Sequence, residues 1–204
     1  MEFADRLRES AAPELFLQDQ GFSCIAGVDE AGRGPLAGPV IAAAVILPPG
    51  WRCDDIRDSK TLSRGKREKL FFFIREQALS WSWAYATVEE IDRINILQSS
   101  LLAMKRAVGL LGREPDYTII DGPHRMPAHI RHTAIVDGDA KSLPIAAASI
   151  VAKVVRDSIM RKYHTLYPQY GFHAHKGYGT REHLRALAVH GSCPIHRRTF
   201  KRVP

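Results

Sequence analysis

The sequence predicts an α/β protein with a mixed five-stranded sheet flanked by helices and a helical C-terminal extension. Apolar runs rich in β-branched and small residues alternate with segments of helical periodicity along the chain. The first two runs are joined by a short glycine-rich turn, which suits antiparallel neighbours. A long helical segment separates the third run from the fourth, and such a crossover indicates a parallel strand in the same sheet.

The first half of the chain supplies three strands and a helix. We predict strands at 22–28, 38–47 and 80–88, and a helix at 63–78. The connection GRGPLAG between the first two strands combines glycine and proline, as turns do. Polar and apolar residues then alternate in SWSWAYATV, which indicates a strand with one exposed face.

The second half begins with a strong helix signal. Thr87 and Glu90 have capping-box spacing, and apolar residues at helical intervals follow them as far as a stop at Gly112. The remaining predicted elements are strands at 116–121 and 133–136 and helices at 143–162 and 180–190. This order is typical of a ribonuclease H-like sheet. In that arrangement the first and fourth strands are neighbours, so Asp29 and Asp121, at their C-terminal ends, are expected to meet.

Length and composition favour one domain. With 204 residues, 45% of them hydrophobic, the chain can bury one substantial core. We expect a single domain over 1–204, with a catalytic core at 22–162 and a basic helical extension at 163–204. No apolar run is long enough to cross a bilayer, the start lacks a secretory signal, and three scattered cysteines suggest no disulfide framework. These features predict a cytoplasmic protein with no membrane partner.

The charge is concentrated near the C-terminus. The formal net charge is +7, and residues 153–204 hold 11 of the 29 Lys and Arg residues but only 2 of the 22 Asp and Glu residues. A basic region of this kind is the usual electrostatic footprint for a polyanion such as nucleic acid.

Carboxylates recur where predicted strands give way to glycine turns. Asp29 and Glu30 lie in GVDEAG, Asp121 in TIIDGP and Asp139 in IVDGDA, with Asp137 as a rival for the last position. Hard oxygen ligands suit Mg²⁺ or Mn²⁺. Four such groups could hold two ions roughly 4 Å apart and hydrolyse a phosphodiester.

Six segments give the chain a close resemblance to bacterial ribonuclease HII. They occur in the family's order from about residue 24 to 200: GVDEAGRGPLAGPV, DSKTLS, YTIIDG, AAASIVAKVVRD, YGFHAHKGYGT and HRRTF. The resemblance implies a type 2 ribonuclease H that cuts the RNA strand of RNA–DNA hybrids. It also implies incision on the 5′ side of ribonucleotides embedded in duplex DNA, with 3′-hydroxyl and 5′-phosphate products.

The same resemblance implies a set of metal ligands. They are Asp29, Glu30 and Asp121, with Asp139 as the fourth, holding two Mg²⁺ or Mn²⁺ ions when substrate is bound. Many relatives have a lysine where this chain has Asp137. The extra negative charge could alter metal affinity, but it removes no expected ligand.

The substrate-binding residues are predicted around a glycine turn. Gly32, Arg33 and Gly34 correspond to the family's ribose sensor, which suits a site that must approach a single 2′-hydroxyl closely. Tyr178 matches the family tyrosine that packs on the sugar at the RNA–DNA junction. Phosphate contacts are expected first from Lys60 and Lys176, and then from Lys153, Arg156, Arg197 and Arg198.

Alternative functions remain open from the sequence. One is a nuclease of the same fold that cuts DNA alone, although such an enzyme needs no ribose sensor. Another is a noncatalytic nucleic-acid-binding module that uses only the basic region. The pairs His173/His175 and Cys193/His196 have zinc-like spacing, but the cluster lacks a second cysteine pair and a zinc site is not favoured. We expect the chain to act as a monomer.

Overall fold

A mixed five-stranded sheet forms the centre of the computed structural model, which describes residues 2–56, 62–127 and 129–204. The strands are β1 Ile25–Ala31, β2 Val40–Ile46, β3 Ser80–Ala86, β4 Tyr117–Asp121 and β5 His132–Ile135. Their order across the sheet is β3-β2-β1-β4-β5. Strands β1, β2 and β3 pair antiparallel, whereas β4 is parallel to β1 and β5 is parallel to β4. The predicted sheet and the pairing of its first and fourth strands are confirmed.

Helices surround the sheet. Within the described residues they are α1 Phe3–Glu9, α2 Pro13–Asp19, α3 Arg64–Gln77, α4 Val88–Gly109, α5 Gly138–Lys141, α6 Leu143–Leu166, α7 Phe172–His175 and α8 Arg181–His190. Short 3-10 turns lie at Asp54–Ile56 and Pro168–Tyr170. Among these elements, none has both the length and the apolar character that would let a helix cross a membrane.

Both faces of the sheet are covered. Alternate side chains of β2 enter separate cores: Ile41 and Val45 pack with α3 and α6, whereas Val40 packs on the side of α4. Helix α6 approaches β1 very closely, because a Cβ added at Gly27 would lie 2.1 Å from the carbonyl carbon of Pro144. The side chain missing at Gly27 therefore allows the start of α6 to contact the central strand.

Helix α4 begins with the predicted capping box. The amide of Glu90 donates to Oγ1 of Thr87 at 3.2 Å, and the amide of Thr87 donates to Oε2 of Glu90 at 2.9 Å. The helix then kinks at Asn95, where φ is +66° and the side-chain Oδ1 accepts the amides of Leu97 and Gln98. It ends at Gly109, short of the predicted stop at Gly112.

Several elements differ from the sequence prediction. Strand β1 continues through Ala31, so Asp29 and Glu30 lie inside the strand and not after it, because they pair with Ala43 and Ala42 of β2. Helices α1 and α2 were not predicted, since seven residues give too little periodicity for a clear signal. They bury Leu7 and Leu17 in a cluster beside β4.

Candidate active site

Asp29 is the most deeply buried carboxylate at the centre of the sheet. Parallel pairing puts Val28 of β1 opposite Ile120 of β4, so the following residues, Asp29 and Asp121, lie at the same level. Asp29 is 6% exposed, and its Oδ1 accepts the amide of Glu30 at 2.7 Å. Ser149 of α6 also bonds to this carboxylate. Burial, and then the negative charges of Glu30 and Asp121, raise the pKa of Asp29 well above its usual value.

Glu30 is paired with a cation from the following turn. Arg33 Nη1 lies 3.3 Å from Glu30 Oε1. Burial raises the pKa of Glu30, the charge of Arg33 opposes this and that of Asp121 adds to it, so the pKa remains above its usual value. Consecutive strand residues point to opposite faces, but the charges of Glu30 and Asp121 both act on Asp29, so the three carboxylates remain within electrostatic range of one another. In the described part of the chain, no three His, Cys, Asp or Glu side chains are already arranged to hold a metal ion.

Asp121 connects the sheet to the segment that carries Asp139. Its Oδ1 accepts the amide of Gly138 at 2.7 Å and the amide of Asp139 at 3.4 Å. A Cβ at Gly138 would lie 2.7 Å from Ile145 Cδ1 and 3.2 Å from Asp121 Oδ1, so a larger residue there would force these side chains to shift. Asp139 is buried, whereas Asp137 is exposed and left-handed, with φ of +54°. The geometry therefore favours Asp139 over Asp137 as the fourth carboxylate.

The predicted ribose sensor is a turn packed over a buried arginine. Gly32 has φ of +101°, and a Cβ there would lie 1.9 Å from Nε of Arg156. Arg156 in turn donates from Nε to the carbonyl of Pro39 and from Nη2 to that of Ala37, both at 3.2 Å. Both the backbone conformation and the packing of this turn thus require glycine at position 32.

An open cavity of about 410 Å³ lies between the turn and one of the four carboxylates, Glu30. Its lining includes Glu30, the Gly32–Gly34 turn, Ser149, Lys153 and Tyr178. Tyr178 is 47% exposed, and its Cε1 lies 3.6 Å from the point where a Cβ on Gly34 would be. The structure therefore brings the predicted sensor turn, the predicted sugar-packing tyrosine and one predicted metal ligand to a single cavity.

The predicted phosphate contacts have different outcomes. Lys60 lies outside the described residues. The ammonium of Lys176 donates to the carbonyls of His173 and Ala174, within its own loop, and Lys153 forms an ion pair with Asp157 at 2.7 Å.

Two of the other predicted contacts fall on buried side chains. Arg156 and Arg197 are 1% and 0% exposed and donate to backbone carbonyls, and Arg156 also lines the cavity, so their phosphate contacts remain predictions. Their positive charge suggested a surface position, but carbonyl groups from distant loops make burial possible. Arg198 remains exposed, and its amide donates to Asp92.

Two cavity residues were missed by sequence reasoning. Ser149 bonds to Asp29, and Arg67 of α3 contributes to the cavity wall while its Nη2 donates to the carbonyl of Leu62 at 2.9 Å. Ser149 lay inside a matched motif, which was the available signal. Nothing in the sequence showed that Arg67 would face the site, because that depends on how α3 packs.

Comparison with known proteins assigns the family. The sequence profile of ribonuclease HII matches residues 26–203. The chain belongs to the ribonuclease HII family. A ribonuclease HII from Geotalea daltonii is 55% identical over 184 residues, covering 90% of this chain and 85% of the relative. The family resemblance drawn from the six motifs is confirmed.

Solved structures agree with the assignment. The ribonuclease H2 of Pyrococcus horikoshii matches with a TM-score of 0.74 and 29% identity, covering 87% of this chain and 94% of that one. Bst-RNase HIII in complex with Mn²⁺ matches with a TM-score of 0.63 and 17% identity, covering 82% and 70%, and supports the fold alone. As a member of this family, the chain is a hydrolase with endoribonuclease activity on RNA–DNA hybrids, and the family is metal-dependent.

Proposed function

We propose that this chain also incises duplex DNA on the 5′ side of an embedded ribonucleotide, leaving 3′-hydroxyl and 5′-phosphate ends. Asp29, Glu30, Asp121 and Asp139 would hold two Mg²⁺ or Mn²⁺ ions. The observation that carries the proposal is the buried carboxylate of Asp29, whose charge is disfavoured by burial and by Glu30 and Asp121. A buried charge in such surroundings is costly without a cation to neutralise it.

The donor set fits this metal chemistry. All four groups are hard carboxylates, which Mg²⁺ and Mn²⁺ prefer. When bound, a pair of such ions activates water and stabilises the leaving oxygen of the phosphodiester. Ser149 would hold the Asp29 carboxylate in place, and Glu30 would exchange the Arg33 guanidinium for a metal ion.

The substrate side of the cavity would read the sugar. The Gly32–Gly34 turn would contact the 2′-hydroxyl, the one group that distinguishes a ribonucleotide from its neighbours. The Tyr178 ring, close to Gly34, would pack on that sugar. Lys60 and Lys176 would contact phosphates, and the basic region at 153–204 would attract the duplex without reading its sequence.

The proposal extends to assembly and location. Residues from β1, α6 and the loop before α8 line the cavity within one chain, so the candidate site needs no second copy. We therefore propose that a monomer, a single domain over residues 1–204 with its catalytic core at 22–162, is the active unit. Its DNA substrate would be found in the bacterial cytoplasm.

The test is cleavage of a labelled duplex that carries one ribonucleotide at a known position. We expect incision 5′ of the ribonucleotide that depends on Mg²⁺ or Mn²⁺. Asp29→Asn and Asp121→Asn should each reduce the rate by more than about 100-fold, since even groups that only support metal ligands contribute about 10- to 100-fold. Exposed Asp19 supplies the matched control, and Asp19→Asn should leave the rate unchanged.

Asp137 and Asp139 provide a second comparison. Asp139→Asn should behave like the other ligand variants, whereas Asp137→Asn should retain most of the activity. Full activity of Asp139→Asn would remove that residue from the ligand set. Equal cleavage of an all-DNA control would favour the DNA-only alternative, and binding without cleavage under any metal condition would favour the noncatalytic module.

A further inference from the structure

Arg197 is buried in direct contact with the predicted ribose-sensing turn. Its Nη2 donates to the carbonyl of Gly32 at 2.6 Å, its Nη1 to that of Arg33 at 2.8 Å, and its Nε to that of Gly38 at 2.9 Å. The side chain is 0% exposed. A planar guanidinium with several donors is well suited to fix three carbonyl groups at once, which an ammonium group on a flexible stem cannot reproduce.

These bonds also determine the direction of two amide groups. In a trans peptide the C=O and the N–H point in opposite directions. Because Arg197 holds the carbonyls of Gly32 and Arg33 towards the interior, the N–H groups of Arg33 and Gly34 must point away from Arg197. Within the described residues, neither amide donates a hydrogen bond, and both residues line the cavity. The turn thus offers two adjacent donors on the side where the sugar is expected.

The neighbouring residue, His196, connects to the other wall of the pocket. Its Nε2 lies 3.0 Å from Nε2 of His183, and Nδ1 of His183 lies 2.9 Å from the carbonyl of Tyr178. A carbonyl only accepts, so His183 must donate from Nδ1 and accept at Nε2. His196 therefore donates from Nε2, and its Nδ1 accepts the amide of Cys193 at 2.9 Å.

Backbone hydrogen bonds also connect the segment around Arg197 to the glycine turn and to the wall of the pocket that carries Tyr178. The amide of Arg197 donates to the carbonyl of Leu36, the amide of Gly38 donates to that of Ile195, and the amide of Leu36 donates to that of Gly177. The segment 193–197, which we term the C-terminal strut, therefore contacts the glycine turn directly. It reaches Tyr178 through His183.

We infer that the C-terminal strut sets the selectivity of the site for a 2′-hydroxyl, with Arg197 and His196 as positioning residues that fix the turn amides and Tyr178 relative to each other. The inference deepens the proposed function and rests on it. Neither side chain touches the sugar. A substitution that removes the hydrogen bonds of Arg197 or His196 should alter recognition of the sugar. It should leave the carboxylates on β1 and β4 in place.

The experiment compares cleavage at one ribonucleotide with cleavage at a 2′-fluoro nucleotide in the same duplex, under single-turnover conditions. Lysine keeps the charge of Arg197, but its single nitrogen cannot reproduce the positions of the three nitrogens that bond to the three carbonyls, so Arg197→Lys should lower the ribose rate at least tenfold. The ratio of ribose to 2′-fluoro cleavage should fall with it. The metal concentration for half-maximal rate should stay unchanged, a combination that general loss of structure would not produce. Arg93→Lys, at an exposed position of α4, is the matched control.

His196→Gln tests the other end of the strut and provides a second variant if Arg197→Lys does not fold. Glutamine can donate from its amide to His183 but cannot also accept the Cys193 amide at the position of Nδ1, so the ribose to 2′-fluoro ratio should again fall. His129→Gln, at an exposed position, is its control. A folded variant with the wild-type ratio would overturn the role of that residue. A wild-type protein without any preference for ribose would instead contradict the proposed function itself.

Discussion

Asp29 combines a buried position with a charge that its surroundings disfavour. Its carboxylate accepts bonds from the Glu30 amide and from Ser149, yet burial and the acidic groups of Glu30 and Asp121 still raise its pKa. An arrangement of this kind costs folding free energy in the absence of a cation. Function and stability therefore make opposing demands on this residue.

The substitution Asp29→Asn should accordingly stabilise the metal-free protein while abolishing cleavage. Asparagine has nearly the same shape, and its Oδ1 can still accept the Glu30 amide, but it carries no charge. We expect the free energy of unfolding in EDTA to rise, because the substitution removes a charge that burial and the neighbouring acidic groups disfavour. Chemical denaturation with Asp19→Asn as control measures the change. A variant less stable than the wild type would show that the buried charge of Asp29 is not the main factor that lowers the stability of the metal-free protein.

The sequence allowed the acidic residues to be predicted better than the buried arginines. Asp29 and Asp121 each follow an apolar run and precede a glycine turn, a pattern that reflects local chain geometry. Arg156 and Arg197 instead depend on carbonyl groups supplied by the loop at 32–39, far away in sequence. A buried guanidinium with such partners cannot be distinguished from a surface arginine until the fold is known.

The start of helix α4 concentrates several interactions on one side chain. Glu90 accepts the Thr87 amide and two hydrogen bonds from Arg106, and these bonds, chiefly that from Arg106, lower its pKa to about 2. Glu90→Ala should therefore reduce the free energy of unfolding by about 1–2 kcal/mol, the usual cost of losing a helix cap together with a partly exposed ion pair.

Urea denaturation with a neighbouring variant would check this expectation. Glu89 occupies the same helical turn but is exposed, so Glu89→Ala should change stability by less than about 0.5 kcal/mol. Equal effects of the two substitutions would indicate that the general charge of the first turn matters, and not the specific bonds made by Glu90.

Element types were easier to predict than element boundaries. The capping box at Thr87 located the start of α4 because its signal lies within four residues. The end of β1 was misplaced because pairing with β2 carries the strand through Asp29 and Glu30, and that pairing is a tertiary effect. The kink at Asn95 could not be predicted from the local sequence either, because asparagine tolerates a left-handed backbone but does not require it.

Two buried histidines near the C-terminus, His183 and His196, and the half-buried His175 should make the stability of the whole molecule depend on pH. Burial, and then the charge of His183, lower the pKa of His196 to about 4, and burial also lowers the pKa of His183 and His175. The unfolded chain binds protons near the ordinary histidine value of 6.5, above the folded-state values. The folded protein should therefore lose stability as pH falls from about 6.5 towards 4, and His196 contributes on the order of 3 kcal/mol.

Denaturation curves between pH 4 and pH 8, compared for the wild type and His196→Gln, isolate this contribution from that of the acidic residues. The wild type should lose more stability than the variant over the acidic half of the range. Parallel curves for the two proteins would mean that His196 is protonated with equal ease in the folded and unfolded states.

The contact between Arg197 and Arg33 joins residues 164 positions apart in the chain. Ribosomes synthesise the N-terminal side first. A nascent polypeptide would therefore expose strand β1, with its two carboxylates, long before Arg197 is available to bond to the Gly32–Gly34 turn. We expect discrimination between ribose and deoxyribose to be gained only after Arg197 has been synthesised and has reached the turn. A growing chain would then have no finished pocket with which to engage nucleic acid prematurely.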